Sequence, residues 1–249
     1  MNRKYGWKRD IKDPINDHKF SIIVPGIPTS ADLLHICPPV MDQGNLGSCT
    51  ANALTGAIEI LELKDGHPLK LLSRLFLYYN ERSLEGTVYS DAGAAIKDGI
   101  KVLNKYGCCL EALWPYNISR YTQKPNQNCY NNAQTHDIVN YSSISNINDM
   151  KVCLASGFPF VFGFTVYQSF ESDTVAQTGI VPMPQPGETC LGGHAVCAVG
   201  YDDSTKMFTV RNSWGENWGL KGYFKMPYDY ISNPDLASDF WHINKTKSE

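Results

Sequence analysis

The chain has 249 residues, 43% hydrophobic and 19% charged, which fits a globular protein of one large domain or two lobes and excludes a disordered chain. A net charge of −3 gives no strong field, so neither nucleic acid nor an anionic membrane is expected as a partner. No stretch approaches the ~20 apolar residues of a membrane span, and no apolar signal core follows the basic start. A cytoplasmic protein is expected.

The eight cysteines form no CxxC pair and no Cys/His cluster at zinc spacing, so no metal and no cofactor are expected. Without a secretory signal, reduced and mostly buried thiols are expected. A bridge from Cys108 or Cys109 to Cys129 stays open.

In chain order, residues 1–24 are polar and mixed, with Asp13-Pro14 and Asn16-Asp17 as breakers, and read as an arm outside the core. Residues 25–39 are punctuated by proline, hence extended or looped. A helix is predicted over 49–63, with Leu54, Ala57, Ile58 and Leu61 at helical spacing and Asp65-Gly66 as its stop. Further helices are predicted over 72–84 and over 94–106, the latter capped by Gly107. Residues 114–136, rich in Asn, Gln, Pro and Tyr, read as a long surface connection. After a short helix near 149–156, strands are predicted over 160–167, 194–201, 207–212, 223–226 and 240–243. A helical half followed by a strand-rich half argues for an α+β protein in two lobes.

Two runs carry the chemistry. Gln43-Gly44-Asn45-Leu46-Gly47-Ser48-Cys49-Thr50 places a thiol at a helix start, where partial positive charge and free N–H groups favour thiolate. The Gly47-Ser48 loop allows close backbone approach. Gln43 can fold back beside the thiol, where its amide and the Cys49 N–H form an oxyanion hole. The second run is Gly192-Gly193-His194-Ala195-Val196, followed by Arg211-Asn212-Ser213-Trp214-Gly215. A hairpin about Asp202–Lys206 sets His194 opposite about Asn212 or Ser213, close enough for the amide to orient the imidazole. An ordinary hairpin with an incidental His and Asn is the competing reading of the second run alone.

These residues resemble the papain family of cysteine proteases. Gly47-Ser48-Cys49 keeps the centre of that family's nucleophile signature, and His194 lies 145 residues downstream (194 − 49). The Asn212-Ser213-Trp214-Gly215 run, continuing to Trp218-Gly219 and Gly222-Tyr223, is similar to the family's pattern. The resemblance implies a papain-like two-lobe fold: a helical left lobe (about 45–135) and a β-barrel-like right lobe (about 136–249), with the cleft between them. The peptidase domain then spans 25–249, after an arm over 1–24. It further implies Cys49 as nucleophile, His194 as general base and acid, Asn212 as its orienter and Gln43 as oxyanion donor. Trp214 shields the His194–Asn212 bond, and Gly47 and Ser48 support the thiol.

For substrate binding the resemblance points to Gly93 and Ala94 as backbone partners. Ala95, Ile96, Gly163, Gly193 and Ala195 line the pocket for the second side chain on the acyl side, closed by Ser238 or Asp239. An apolar preference is expected there, or a basic one if Asp239 points inward. Leu46 stands where the family often has a Cys and Thr50 where it often has a Trp. The usual bridge partner falls near Asp91, so both ends of that bridge are replaced together, as suits a reducing compartment. The absence of a cleft-blocking loop makes an endopeptidase the default. The family's long helical pro-region is missing, and the arm over 1–24 is the candidate inhibitory segment. The short form is similar to bacterial and large-virus members, which makes a virion-packaged enzyme one option. Protein or peptide substrates are implied. Competing classes are another Cys-His acyl-transfer enzyme, such as an amidase or transglutaminase-like protein, and a non-catalytic binding module on the same fold.

Overall fold

In the computed structural model, which describes residues 3–12, 17–22 and 24–246, two short strands come first, β1 (Trp7–Lys8) and β2 (Ser30–Asp32). The helical lobe follows: α1 (Cys49–Lys64), α2 (Arg74–Glu85), β3 (Ala94–Ala95), α3 (Ile96–Tyr106) and α4 (Gln127–Ala133). Every residue of α1 from Cys49 to Glu62 is buried, because this helix packs against α2 and α3 on one side and the sheet on the other. A helix buried on all sides fits only such a central position, even with Thr50, Asn52, Thr55, Glu59 and Glu62 among its buried residues. Local signals set the ends of α2. Its Ser73 cap accepts the Phe76 N–H, and Gly86 closes it with a left-handed φ of 74°.

The second lobe contains β4 (Ile138–Ser143), α5 (Ile147–Ala155), β5 (Phe160–Tyr167), α6 (Asp173–Thr178), β6 (Cys190–Asp202), β7 (Met207–Arg211), β8 (Tyr223–Pro227), α7 (Tyr228–Ser232) and β9 (Ala237–Thr246). The strands form one antiparallel sheet in the order β4-β9-β5-β6-β7-β8, with β2 also paired to β6. Among the described residues β4 and β8 do not pair, so the sheet is open where the sequence reading expected a barrel-like lobe. Its inner face is aromatic: Phe160, Phe162, Phe164, Phe208 and Phe224 are fully buried.

Two sequence readings change. The stretch 114–136 is not all connection, since Asn126 caps α4 by accepting the Cys129 N–H, and Cys129 and Ala133 are buried beneath it. The arm is not outside the core either. Trp7 and Phe20 are each only 8% exposed, and β1 pairs in parallel with β3. The expected breakers Asp13, Pro14 and Asn16 lie outside the described residues.

Candidate active site

Cys49 is the first residue of α1 and is fully buried. Ser48 makes no side-chain cap; its hydroxyl instead meets Tyr116 Oη at 2.6 Å and accepts from Asn52 Nδ2 at 3.1 Å. The first-turn N–H groups of α1 are therefore left without the usual side-chain cap, and the Thr50 N–H faces the Cys49 sulphur. The backbone N–H groups of Ala195, Gly6 and Thr50 face the Cys49 sulphur and favour thiolate, but burial outweighs them and pushes the thiol up to about 11. The helix start thus does not by itself produce a thiolate in this covered form.

His194 sits on β6 opposite Phe164 of β5. Its Nε2 lies 2.8 Å from Asn212 Oδ1, so the neutral ring keeps its proton on Nε2 and its lone pair on Nδ1. Nδ1 is buried without a hydrogen-bond partner among the described residues. The neighbouring residue, Ala195, is the one whose N–H faces the Cys49 sulphur, which brings imidazole and thiol into one site. The ring stacks on Trp214 at 5.1 Å and 23°, with Phe164 at its edge at 5.7 Å. Burial lowers its pKa to about 4, against a raising effect from Asn212 and a further lowering by Arg3.

His194 and Asn212 meet as the expected hairpin places them, but not through its register. Pairing of β6 with β7 stops at Cys197↔Arg211, after an irregularity between Ala198 and Gly200. His194 and Asn212 lie beyond the ladder and meet through side chains rather than as a cross-strand pair. Asn212 is held by its own backbone, whose N–H donates to Gly222 O at 3.0 Å, and its Oδ1 also accepts the Ser213 N–H at 2.9 Å.

Gln43 is fixed from the same loop. Its N–H donates to Ser213 O at 2.9 Å, and its Oε1 accepts from Ser213 Oγ at 2.6 Å. That turns Nε2 the other way, to Leu46 O at 2.9 Å and Lys4 O at 3.3 Å. Tyr116 Oη donates to Gln43 O at 2.9 Å, tying both ends of the 43–49 loop. The bond of Ser213 to Gln43 and the role of Tyr116 were missed in the sequence. Ser213 sits beside Asn212 and could have been noticed, whereas Tyr116 lay in a stretch read as loop. Asp91 stands where a bridge would end and ties the loop without one. It accepts the Gly47 N–H at 3.0 Å, Tyr78 Oη at 2.5 Å and Lys4 Nζ at 2.9 Å.

The arm fills the cleft. Ala94 N–H donates to Gly6 O at 2.7 Å, and Trp7 aligns with Ala94. A Cβ on Gly6 would overlap the Gly47 carbonyl, and one on Gly93 would overlap the Gly6 carbonyl. The Trp7 indole lies over Gly163 and Gly193, where any side chain would collide with it. Gly163 pairs with Ala195 and Ser238 on the neighbouring strands, and Ala94, Ala95 and Ile96 are buried. Asp239, at a left-handed φ of 59°, lies beside Trp7 and accepts the Asp10 N–H at 2.8 Å. Tyr5 meets His194 edge-on at 6.0 Å and Trp214 at 6.3 Å. Among the described residues no group of three or more His, Cys, Asp or Glu side chains is placed to hold a metal, and no helix is long and apolar enough to cross a membrane.

The chain is 48% identical over 215 residues to an uncharacterized peptidase C1-like protein of Acanthamoeba polyphaga mimivirus, covering 82% of this chain and 69% of that one. Its fold matches xylellain, a cysteine protease from Xylella fastidiosa, with a TM-score of 0.92 and 44% identity over 99% of both chains. It also matches the fold of digestive procathepsin L 3 from the larval midgut of Tenebrio molitor, with a TM-score of 0.72 and 20% identity over 97% of this chain and 76% of that one. The chain spans 52–58% of the length of the plant cysteine proteinases it matches. The model of the papain family of cysteine proteases matches residues 27–240, and the chain belongs to that family of peptide-bond hydrolases.

Proposed function

We propose that the chain is a cysteine endopeptidase acting through Cys49, His194 and Asn212, over a domain spanning 25–249. His194 Nδ1 takes the Cys49 proton, and the thiolate attacks the peptide carbonyl. The oxygen's developing charge is met by Gln43 Nε2 and the Cys49 N–H. The tetrahedral species collapses as His194 returns the proton to the leaving amine, leaving a thioester on Cys49. Water, deprotonated by the same nitrogen, then releases the acid and restores the thiol. Asn212 holds the ring plane, Trp214 keeps water from that bond, and Gly47 and Ser48 position the thiol. The observation that carries this reading is the 2.8 Å His194–Asn212 contact, which leaves Nδ1 as the nitrogen free to act as base.

On the same reading the arm is an inhibitor in cis, a short pro-segment whose Gly6 and Trp7 occupy the cleft. Gly93 and Ala94 are the backbone partners of a bound substrate. Ala95, Ile96, Gly163, Gly193 and Ala195 form a pocket for a large apolar side chain, and Asp239 beside it admits a basic one, with Ser238 at its edge. Replacement of the bridge ends by Leu46 and Asp91 supports a reducing, cytoplasmic setting. Incubation with a fluorogenic dipeptide amide tests the catalytic assignment. Release is expected from the parent chain and none from Cys49→Ala. Equal release from both would remove Cys49 from the chemistry.

A further inference from the structure

Beyond Tyr5, on the side of the thiol away from the Trp7 pocket, the cleft presents a second surface. Trp214, 4% exposed, forms its floor. The Arg3 guanidinium carbon stands 4.0 Å from the centre of that ring, a cation over an aromatic face. Burial lowers the pKa of the guanidinium, and the negative charges of Asp42 and, more weakly, Glu171 oppose that effect. Asp42 is pinned there. Its Oδ1 accepts the Gly44 N–H at 2.8 Å, and it bridges to Trp214 through the backbone. Glu171 reaches the same place and accepts from Tyr5 Oη.

Arg3 lies one residue before Lys4, whose carbonyl rests on the Gln43 amide. A side chain on Trp214 is therefore within a residue or two of a carbonyl at that amide. When a substrate replaces the arm, its scissile carbonyl takes that place. Trp7, three residues after Lys4, fills the acyl-side pocket, so the arm runs opposite to a substrate and the surface under Arg3 receives the first or second side chain of the leaving segment.

We propose that this surface selects a cationic side chain, Arg before Lys, at the first or second position after the scissile bond, and that Arg3 occupies it as a stand-in. The proposal rests on the peptidase reading above. Trp214 supplies the face, and Asp42 and Glu171 supply counter-charge that an acidic side chain would meet as repulsion. Arg is favoured over Lys because its flat guanidinium lies on a ring while its edge still reaches a carboxylate.

The test uses the full-length chain carrying Trp7→Ala, which loosens the arm outside this surface. Internally quenched peptides differ only in Arg, Lys, Ala or Glu at each of the two positions. The Arg peptide is expected to exceed the Glu peptide about tenfold in kcat/KM at low salt, with the gap narrowing as salt rises. Asp42→Asn and Glu171→Gln, which keep an acceptor oxygen, should each shrink the Arg-to-Glu ratio about threefold. A uniform fall in rate across all peptides would not count as such a change. Binding of the same peptides to the Cys49→Ala, Trp7→Ala chain supplies a readout without catalysis. Selective binding of Arg peptides with none cleaved would support this surface and remove the peptidase reading. Cleavage or binding that ignores the side chain, or ratios untouched by both variants, would overturn the surface.

Discussion

The two ends of the cleft hold the arm by different physics. At the Trp7 end the contact is shape: a strand pairing at Ala94, a backbone crossing at Gly6 and an indole over two glycines. At the Arg3 end it is rings and charge, with Tyr5 and Arg3 on Trp214 and the charges of Asp42 and Glu171 acting on Arg3. Shape contacts fail abruptly when a methyl group is added. Exposed charge contacts fade gradually and are screened by salt. The Trp7 end should therefore dominate the protection of Cys49 by the arm, with the Arg3 end tuning it.

Gly6→Ala breaks the comparison most directly. The added methyl meets the Gly47 carbonyl, a backbone atom of the nucleophile loop that cannot yield without moving Cys49. Overpacking costs about 3 kcal/mol in such places, so Cys49 alkylation by iodoacetamide should accelerate about 100-fold over the parent chain. An unchanged rate would mean that the arm does not guard the thiol in solution. Trp7→Ala comes next. It keeps the strand pairing and gives up the buried indole, worth about 2 kcal/mol, for an acceleration of about 30-fold in the same assay. Arg3→Ala should give only a few-fold effect, lost at high salt. If Arg3→Ala matched Trp7→Ala, the division between the two ends would be wrong.

Much of this was legible in the sequence where local and chemical signals coincide. The β5 strand over 160–167 follows from its unbroken run of apolar and aromatic residues, and α1 begins at Cys49 as the glycine-serine loop implies. The catalytic candidates came from residue type and order. What escaped depends on distant partners. The β4 strand is paired by β9, about a hundred residues later, and nothing in Ile138–Ser143 announces that partner. The β6–β7 register was off because an irregularity near Val199 shifts the pairing, and such a bulge has no clear residue signature here. The arm was read by its polarity. Its meaning lies in the match between Gly6-Trp7 and glycines at 93, 163 and 193, which only the folded chain brings together.

The smallest effect is in pH, and it sharpens how the arm is balanced. His194 is held down to about 4 in the covered cleft, against an ordinary 6.5, first by burial. Its contribution to docking is complete above 6.5 and is lost as pH falls toward 4. Asp10, on the arm just past Trp7, moves the other way. Burial first, then the Asp239 charge, pushes it up to about 7 from 3.8, despite the hydrogen bonds it accepts from the Lys97 N–H and Trp241 Nε1. Its contribution is complete below 3.8 and is lost as pH rises toward 7. Between about 4 and 6.5 the two slopes oppose each other, so protection of Cys49 by the native arm should change only a few-fold across that range. Asp10→Asn removes one slope. Protection, taken as the alkylation rate relative to Gly6→Ala at each pH, should then fall steadily on acidification, by at most about tenfold per pH unit. A flat profile in Asp10→Asn would show that covering the cleft does not hold His194 neutral, and that the imidazole keeps its access to water beneath the arm.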